Sequence, residues 1–133
     1  MIVGVGTDVV LTDRMRALLG RWGARLSDRI LGPTERERFA AQRGAGAHSA
    51  ERAVSYLAKR FAGKEAVGKA LGCGLSRPMG LQRLELLNDA RGAPMVVAHG
   101  ELAEHLEREG LVVHVSLSDE QSMAQAFAVV EKR

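Results

Sequence analysis

Cysteine is nearly missing from this chain. The one thiol among its 133 residues, Cys73, excludes an internal disulfide and any cysteine-based zinc site. Cys73 sits in a Gly-Cys-Gly stretch with no evident histidine partner in sequence, so thiol catalysis is not indicated. Aromatic residues are scarce too, at 4%. Leu, Val and Ala must fill most of the core, and a nucleic-acid partner is disfavoured because few rings are available to stack on bases. No apolar run reaches the roughly 20 residues of a membrane span, and no charged-then-apolar leader opens the chain. The expectations are one domain over residues 1–133, a cytoplasmic location and no membrane partner.

Charge is present and unevenly spread. The net charge is +3, yet residues 12–60 carry eleven Lys or Arg against five Asp or Glu. The remainder carries eight against eleven. The basic half suits an acidic partner.

The most informative stretch is Arg60-Phe61-Ala62-Gly63-Lys64-Glu65-Ala66-Val67-Gly68-Lys69. Its surroundings predict a helix from about Arg52 to Leu71, with Val54, Leu57, Ala58 and Phe61 on one apolar face. Glu65 follows Phe61 by four residues and projects from that face, with Lys69 one turn on. Gly68 leaves room there. Charged groups amid an apolar stripe cost free energy unless each is paired or bound to something. The plainer reading is a surface pair, because Glu65 and Lys69 have the favourable i, i+4 order.

A second half of the site lies at the N-terminus. Ile2 to Val10 reads as a strand with Val3, Val5, Thr7 and Val9 on one face and Gly4, Gly6 and Asp8 on the other. Glycine inside a strand marks close approach by a ligand or another backbone. Asp8 and Glu65 together could supply two hard oxygen ligands to Mg²⁺, with Lys69 facing a phosphate oxygen. Taken alone, Asp8 could instead cap the following helix.

Thr12 opens a predicted helix to about Trp22, on which Arg14, Leu18 and Arg21 share a side. A short helix follows over Arg25–Leu31. Thr34 and Glu37 resemble a capping box opening a third helix to about Arg43. Residues 44–49 read as a flexible loop. Gln82–Leu87 and Ala93–Ala98 form a predicted hairpin, Glu101–Glu109 a helix ending at Gly110, and Val112–Ser118 with Met123–Glu131 a second hairpin. His48 and His99 read as loop residues and His105 as an exposed helix residue. His114 shares its strand face with Ser116 and Ser118.

These residues resemble a known family, the bacterial holo-[acyl-carrier-protein] synthases, which are 4′-phosphopantetheinyl transferases. Val3-Gly4-Val5-Gly6-Thr7-Asp8-Val9-Val10 is similar to the family's first motif, and Arg60 to Lys69 to its second. Asn88-Asp89-Ala90-Arg91-Gly92-Ala93-Pro94 resembles its hairpin, and His114-Val115-Ser116-Leu117-Ser118 its closing strand. Order and spacing fit from end to end. Four features depart from the pattern. Ala93 replaces a usual Lys, Asp119 stands where many members have a second His, Gly63 replaces a usual Ala, and the Arg43–Glu51 loop is longer.

The resemblance implies an α+β fold of the 4′-phosphopantetheinyl transferase type: an N-terminal strand, helices including one long central helix, then antiparallel hairpins. It implies transfer of the phosphopantetheine arm of coenzyme A to a serine of apo acyl carrier protein, supporting fatty acid biosynthesis. Asp8 and Glu65 would hold Mg²⁺ and Lys69 would neutralise a phosphate oxygen. Arg60, Arg91, Gly92, Pro94, His114 and Ser116 would line the coenzyme A pocket. Arg14, Leu18 and Arg21 would dock the acidic carrier protein. A homotrimer with interfacial sites is implied as well. The general base stays open among Glu65, a metal-bound water and a solvent relay. Two further readings stand beside this one: another Mg-dependent phosphate enzyme, or a non-catalytic basic binding module lacking metal dependence.

Overall fold

Alternation at the N-terminus is realised as strand β1 (Ile2–Leu11). The structure, a computed structural model, describes residues 1–44 and 46–133. β1 pairs antiparallel with β5 (Met123–Lys132), and β5 pairs antiparallel with β4 (Leu111–Asp119). The sheet order is β1-β5-β4. Its inner face is built of small and branched residues: Gly4, Gly6 and Val10 on β1, Ala124, Ala126, Ala128 and Val130 on β5, and Val115 on β4.

The long helix α4 (Ser49–Leu71) lies on that face. Val54, Leu57, Ala58, Ala62, Ala66 and Ala70 are buried, which follows from their helical spacing. A Cβ at Gly4 would collide with the carbonyl oxygen of Ala70, and one at Gly6 with that of Ala66. Of the two partners the strand glycines left open, it is therefore a backbone that approaches. The room left by Gly68 is also taken by protein. Cys73 and Gly74 both donate their N–H to the Gly68 carbonyl, and a Cβ there would strike the Gly74 carbonyl.

The other helices are α1 (Thr12–Trp22), α2 (Ala24–Ile30), α3 (Pro33–Arg43) and α5 (Gly100–Glu109), the last ending at Gly110 with φ +64°. Thr12 makes no side-chain cap; its N–H donates to Ser122 O at 2.9 Å. The capping box expected at Thr34 and Glu37 lies two residues earlier, because Pro33 starts the helix. Gly32 N–H donates to Glu35 Oε1 at 2.9 Å. A separate strand β2 (Leu84–Asn88) supplies the second cap, with Glu85 Oε2 accepting from Glu35 N–H at 2.9 Å. β2 pairs with β3 (Pro94–Ala98), and a 3-10 turn over Leu81–Arg83 takes the place of the first residues expected in this hairpin. α4 begins at Ser49, three residues before the expected start, so the expected loop is shorter; Ala45 within it lies outside the described residues. No helix among the described residues is long and apolar enough to cross a membrane.

Lys64 and Glu35 form a fully buried pair at 2.6 Å. The Lys64 ammonium also donates to Ile30 O at 2.7 Å and Leu81 O at 2.8 Å, which uses all its hydrogens. Glu35 Oε2 accepts from Leu86 N–H at 2.8 Å. Burial pulls the Lys64 pKa below its ordinary value, opposed by Glu35. The chain of carboxylates ends at His99, whose Nε2 lies 2.8 Å from Glu85 Oε1, so this histidine is tied to the fold rather than being an idle loop residue. Removing one partner strands a buried charge. Lys64→Ala or Glu35→Ala is expected to cost about 3–5 kcal/mol. Urea unfolding checks this, and a loss under about 1 kcal/mol would contradict it.

Candidate active site

α4 and β1 bring the sequence-predicted carboxylates and lysine to one cavity of about 570 Å³, which Asp8, Glu65 and Lys69 line together. Asp8 reaches it from the inner face of β1, and Glu65 and Lys69 from successive turns of α4. Phe61, Val10 and Met15 form its apolar wall, and Arg14 and Leu18 of α1 complete it. Lys69 Nζ donates to Thr7 O at 2.9 Å and to Asp8 Oδ1 at 3.1 Å. Lys69 is thus held against β1 rather than in the surface pair with Glu65 that its spacing also allowed. Asp8, for its part, faces the cavity and does not cap α1.

Glu65 is half-buried and receives no hydrogen bond from the described residues. Burial, then the Asp8 charge, raise its pKa, and Lys69 lowers it by less. Asp8 and Glu65 put two carboxylates in a cavity that Lys69 and Arg14 also line, and Glu65 has no cation hydrogen-bonded to it among the described residues. Hard oxygen donors in that state fit Mg²⁺, which one or two carboxylates hold when substrate phosphates complete the shell. Among the described residues there is no group of three His, Cys, Asp or Glu that could form a cage from protein alone.

The remaining predicted residues lie elsewhere on the protomer. Arg60 lines a second cavity, of about 450 Å³, between α3, α4 and the β2–β3 hairpin. Arg60 is buried, donates Nε to Leu86 O at 3.1 Å and stacks 4.0 Å over the Tyr56 ring. Burial lowers its pKa, and burial pushes the Tyr56 hydroxyl up to about 12. Arg38, Arg52 and Lys59 share this cavity with the acids Glu51 and Asp119. Asn88 marks its hairpin edge. Arg91, Gly92 and Pro94 are exposed in that hairpin, whose tip is fixed by Asp89 Oδ1 accepting from the Arg91 and Ala93 N–H groups.

His114 and Ser116 sit on the outer face of the sheet, opposite to Asp8. His114 Nε2 is 3.2 Å from Glu131 Oε1. Ser116 joins Thr7, Val9, Ser118, Gln125 and Phe127 around a depression of about 340 Å³. Arg21 is exposed on α1 and lies 5.1 Å over the Trp22 ring. The sequence reading missed Arg38, Ser55 and Lys59. Ser55 and Lys59 had a signal: they are polar residues one turn apart on the helix that carries Arg60.

Residues 4–128 match the family model of the 4′-phosphopantetheinyl transferase superfamily. The chain belongs to this superfamily. It is 43% identical over 132 residues to the holo-[acyl-carrier-protein] synthase of Cupriavidus taiwanensis, covering 99% of this chain and 92% of the relative. Among solved structures it is similar to the holo-[acyl-carrier-protein] synthase of Neisseria meningitidis, at 38% identity and a TM-score of 0.88, covering 99% of this chain and 100% of that one. It is also similar to the synthase of Bacillus anthracis in complex with coenzyme A (3′,5′-ADP), at 30% identity and a TM-score of 0.80, covering 100% and 99%. The α+β architecture expected from the motifs is that of these transferases. The cavity of Asp8, Glu65 and Lys69 joins the two stretches singled out in the sequence, Val3 to Val10 and Arg60 to Lys69.

Proposed function

We propose that this chain is a holo-[acyl-carrier-protein] synthase, moving 4′-phosphopantetheine from coenzyme A to a serine of apo acyl carrier protein. The observation that carries this reading is the meeting of Asp8, Glu65 and Lys69 at one cavity in a chain that matches such synthases along its whole length. In the reaction, the serine oxygen bonds the phosphorus that bears the pantetheine arm. The pyrophosphate P–O bond breaks, and adenosine 3′,5′-bisphosphate leaves. Phosphoryl transfer needs positioning and charge neutralisation more than covalent help from the protein.

Asp8 and Glu65 would hold Mg²⁺, which supplies charge neutralisation across the pyrophosphate. Lys69, already fixed by Thr7 and Asp8, would turn its ammonium to an equatorial phosphate oxygen. Phe61, Val10 and Met15 would give the reacting end an apolar wall. The serine proton is lost as its oxygen bonds phosphorus, and Glu65 and water are the bases the cavity offers. Arg60 and the Arg91–Pro94 hairpin would hold the nucleotide end, with His114 and Ser116 contributed from the outer sheet face.

These groups line separate cavities of one protomer. A homotrimer would bring the carboxylate cavity of one copy to the nucleotide-binding groups of the next. The exposed apolar outer face supports this: Val3, Val5 and Val9 of β1 and Phe127 of β5 are each about half exposed. We place this activity in the cytoplasm, in support of fatty acid biosynthesis.

Arg14 and Leu18 border the carboxylate cavity itself, so the carrier protein would dock against the mouth of the site and along α1. Arg21, two turns further along, is the cleaner probe of docking. Arg21→Glu should raise KM for carrier protein roughly tenfold and leave KM for coenzyme A within about twofold. Arg14→Glu should raise both. Steady-state kinetics decide, and an unchanged carrier-protein KM for Arg21→Glu would move the docking surface away from α1. Chromatography of a reaction holding coenzyme A, Mg²⁺ and apo carrier protein tests the reading as a whole, through release of adenosine 3′,5′-bisphosphate. Coenzyme A left intact would overturn it.

A further inference from the structure

The second cavity holds two acids, Glu51 and Asp119, among its basic groups. Its wall is basic, with Arg38, Lys59 and the buried Arg60 gathered beside Tyr56 and Asn88. Asp119, the last residue of β4, nevertheless projects into it. The Asp119 carboxylate accepts a hydrogen bond from Ser55 Oγ at 2.7 Å and lies 3.7 Å from Lys59 Nζ. The Ser55 hydroxyl, and less strongly Lys59, hold its pKa below the usual value against the opposing effect of burial, so it is a carboxylate at neutral pH. Asp119, its side chain about half exposed, is thus an anion lining a mostly cationic cavity.

Coenzyme A carries a pyrophosphate and, separately, a phosphate monoester on its ribose. The monoester bears close to two negative charges at neutral pH and needs cations of its own. The lysine of the carboxylate cavity is committed to the pyrophosphate. The second cavity offers Arg38, Lys59 and Arg60.

We infer that Asp119 is a specificity-setting residue: by pairing with Lys59 it limits how strongly this cavity grips a ligand's phosphate monoester. The inference rests on coenzyme A being the substrate. Its chemistry is simple competition. A ligand phosphate gains attraction to Lys59 only against the carboxylate already there, and it meets the repulsion of that carboxylate at the same time. The leaving product, adenosine 3′,5′-bisphosphate, keeps the same monoester. A restrained grip therefore favours product departure as much as it weakens substrate binding.

Asp119→Asn keeps the side chain's shape and its hydrogen-bonding capacity while removing the charge. By calorimetry it should bind coenzyme A and adenosine 3′,5′-bisphosphate on the order of 3- to 10-fold more tightly than wild type. Binding of 3′-dephospho-coenzyme A, which lacks the monoester, should change less than about twofold. Lys59→Gln should show the reverse, losing preference for coenzyme A over the dephospho form. Lys59→Gln keeps the test informative if the aspartate variant folds poorly. Equal shifts for the two coenzymes, or no shift for either, would overturn the inference while leaving the substrate intact. A wild-type protein that binds neither coenzyme would overturn the substrate and the inference together.

Discussion

Asp8→Asn and Glu65→Gln are each expected to lower transfer by on the order of 10²–10³-fold or more while the protein stays folded. Both substitutions keep side-chain size and remove one negative charge. Asp8 gives up its charge toward Lys69, but Lys69 retains the Thr7 carbonyl and half its surface in solvent, so no buried charge is stranded. Glu65 receives no hydrogen bond from the described residues, and its raised pKa means that its charged form is disfavoured in the fold. Losing that charge therefore costs no stability. The cost falls on the cation and on the pyrophosphate, which loses charge neutralisation as the P–O bond breaks. Rates measured over a range of Mg²⁺ concentrations, alongside thermal unfolding, separate the two effects. Near-normal rates at limiting Mg²⁺ would remove both residues from the metal site.

The second large effect concerns assembly. Phe127→Glu is expected to dissociate the protein into folded, inactive protomers. Phe127 is 47% exposed on the middle strand of the sheet, among Thr7, Val9 and Ser116. On an isolated protomer a glutamate there meets water and costs little. Within a trimer it would place a charge in an apolar interface with no partner, which destabilises association strongly. Activity should vanish with the trimer, because the groups proposed for coenzyme A lie on separate cavities of one chain. Light scattering with activity on the same sample checks this. A wild-type protein that is a stable, active monomer would sink the assembly.

What could be read from the sequence was mostly what is periodic. The alternation of β1 put Asp8 on the same face as Gly4 and Gly6, and the 3.6-residue repeat of α4 put Glu65 and Lys69 on the face with Phe61. Those two local patterns suffice to bring the three groups together once β1 lies on α4. The contacts that hold them there are not local. Glu85 caps α3 from a strand 50 residues away, Lys64 reaches Glu35 across 29 residues, and Asp119 reaches Ser55 across 64. No period in the chain announces such pairs. Lys64 carries the least local signal of these. Within its motif it looks like another surface lysine, and only the closeness of α2, α3 and the 3-10 turn makes it the most enclosed charge of the helix. The strand glycines were ambiguous for a related reason: a gap on one strand does not say whether a helix or a ligand fills it.

The most direct test is mass spectrometry of an apo acyl carrier protein incubated with this chain, coenzyme A and Mg²⁺. The carrier protein should gain the mass of one 4′-phosphopantetheine arm, on its serine, and the gain should disappear when Glu65→Gln replaces the wild-type enzyme. A carrier protein whose mass stays that of the apo form, with folded wild-type enzyme and both substrates present, would contradict the account at its centre.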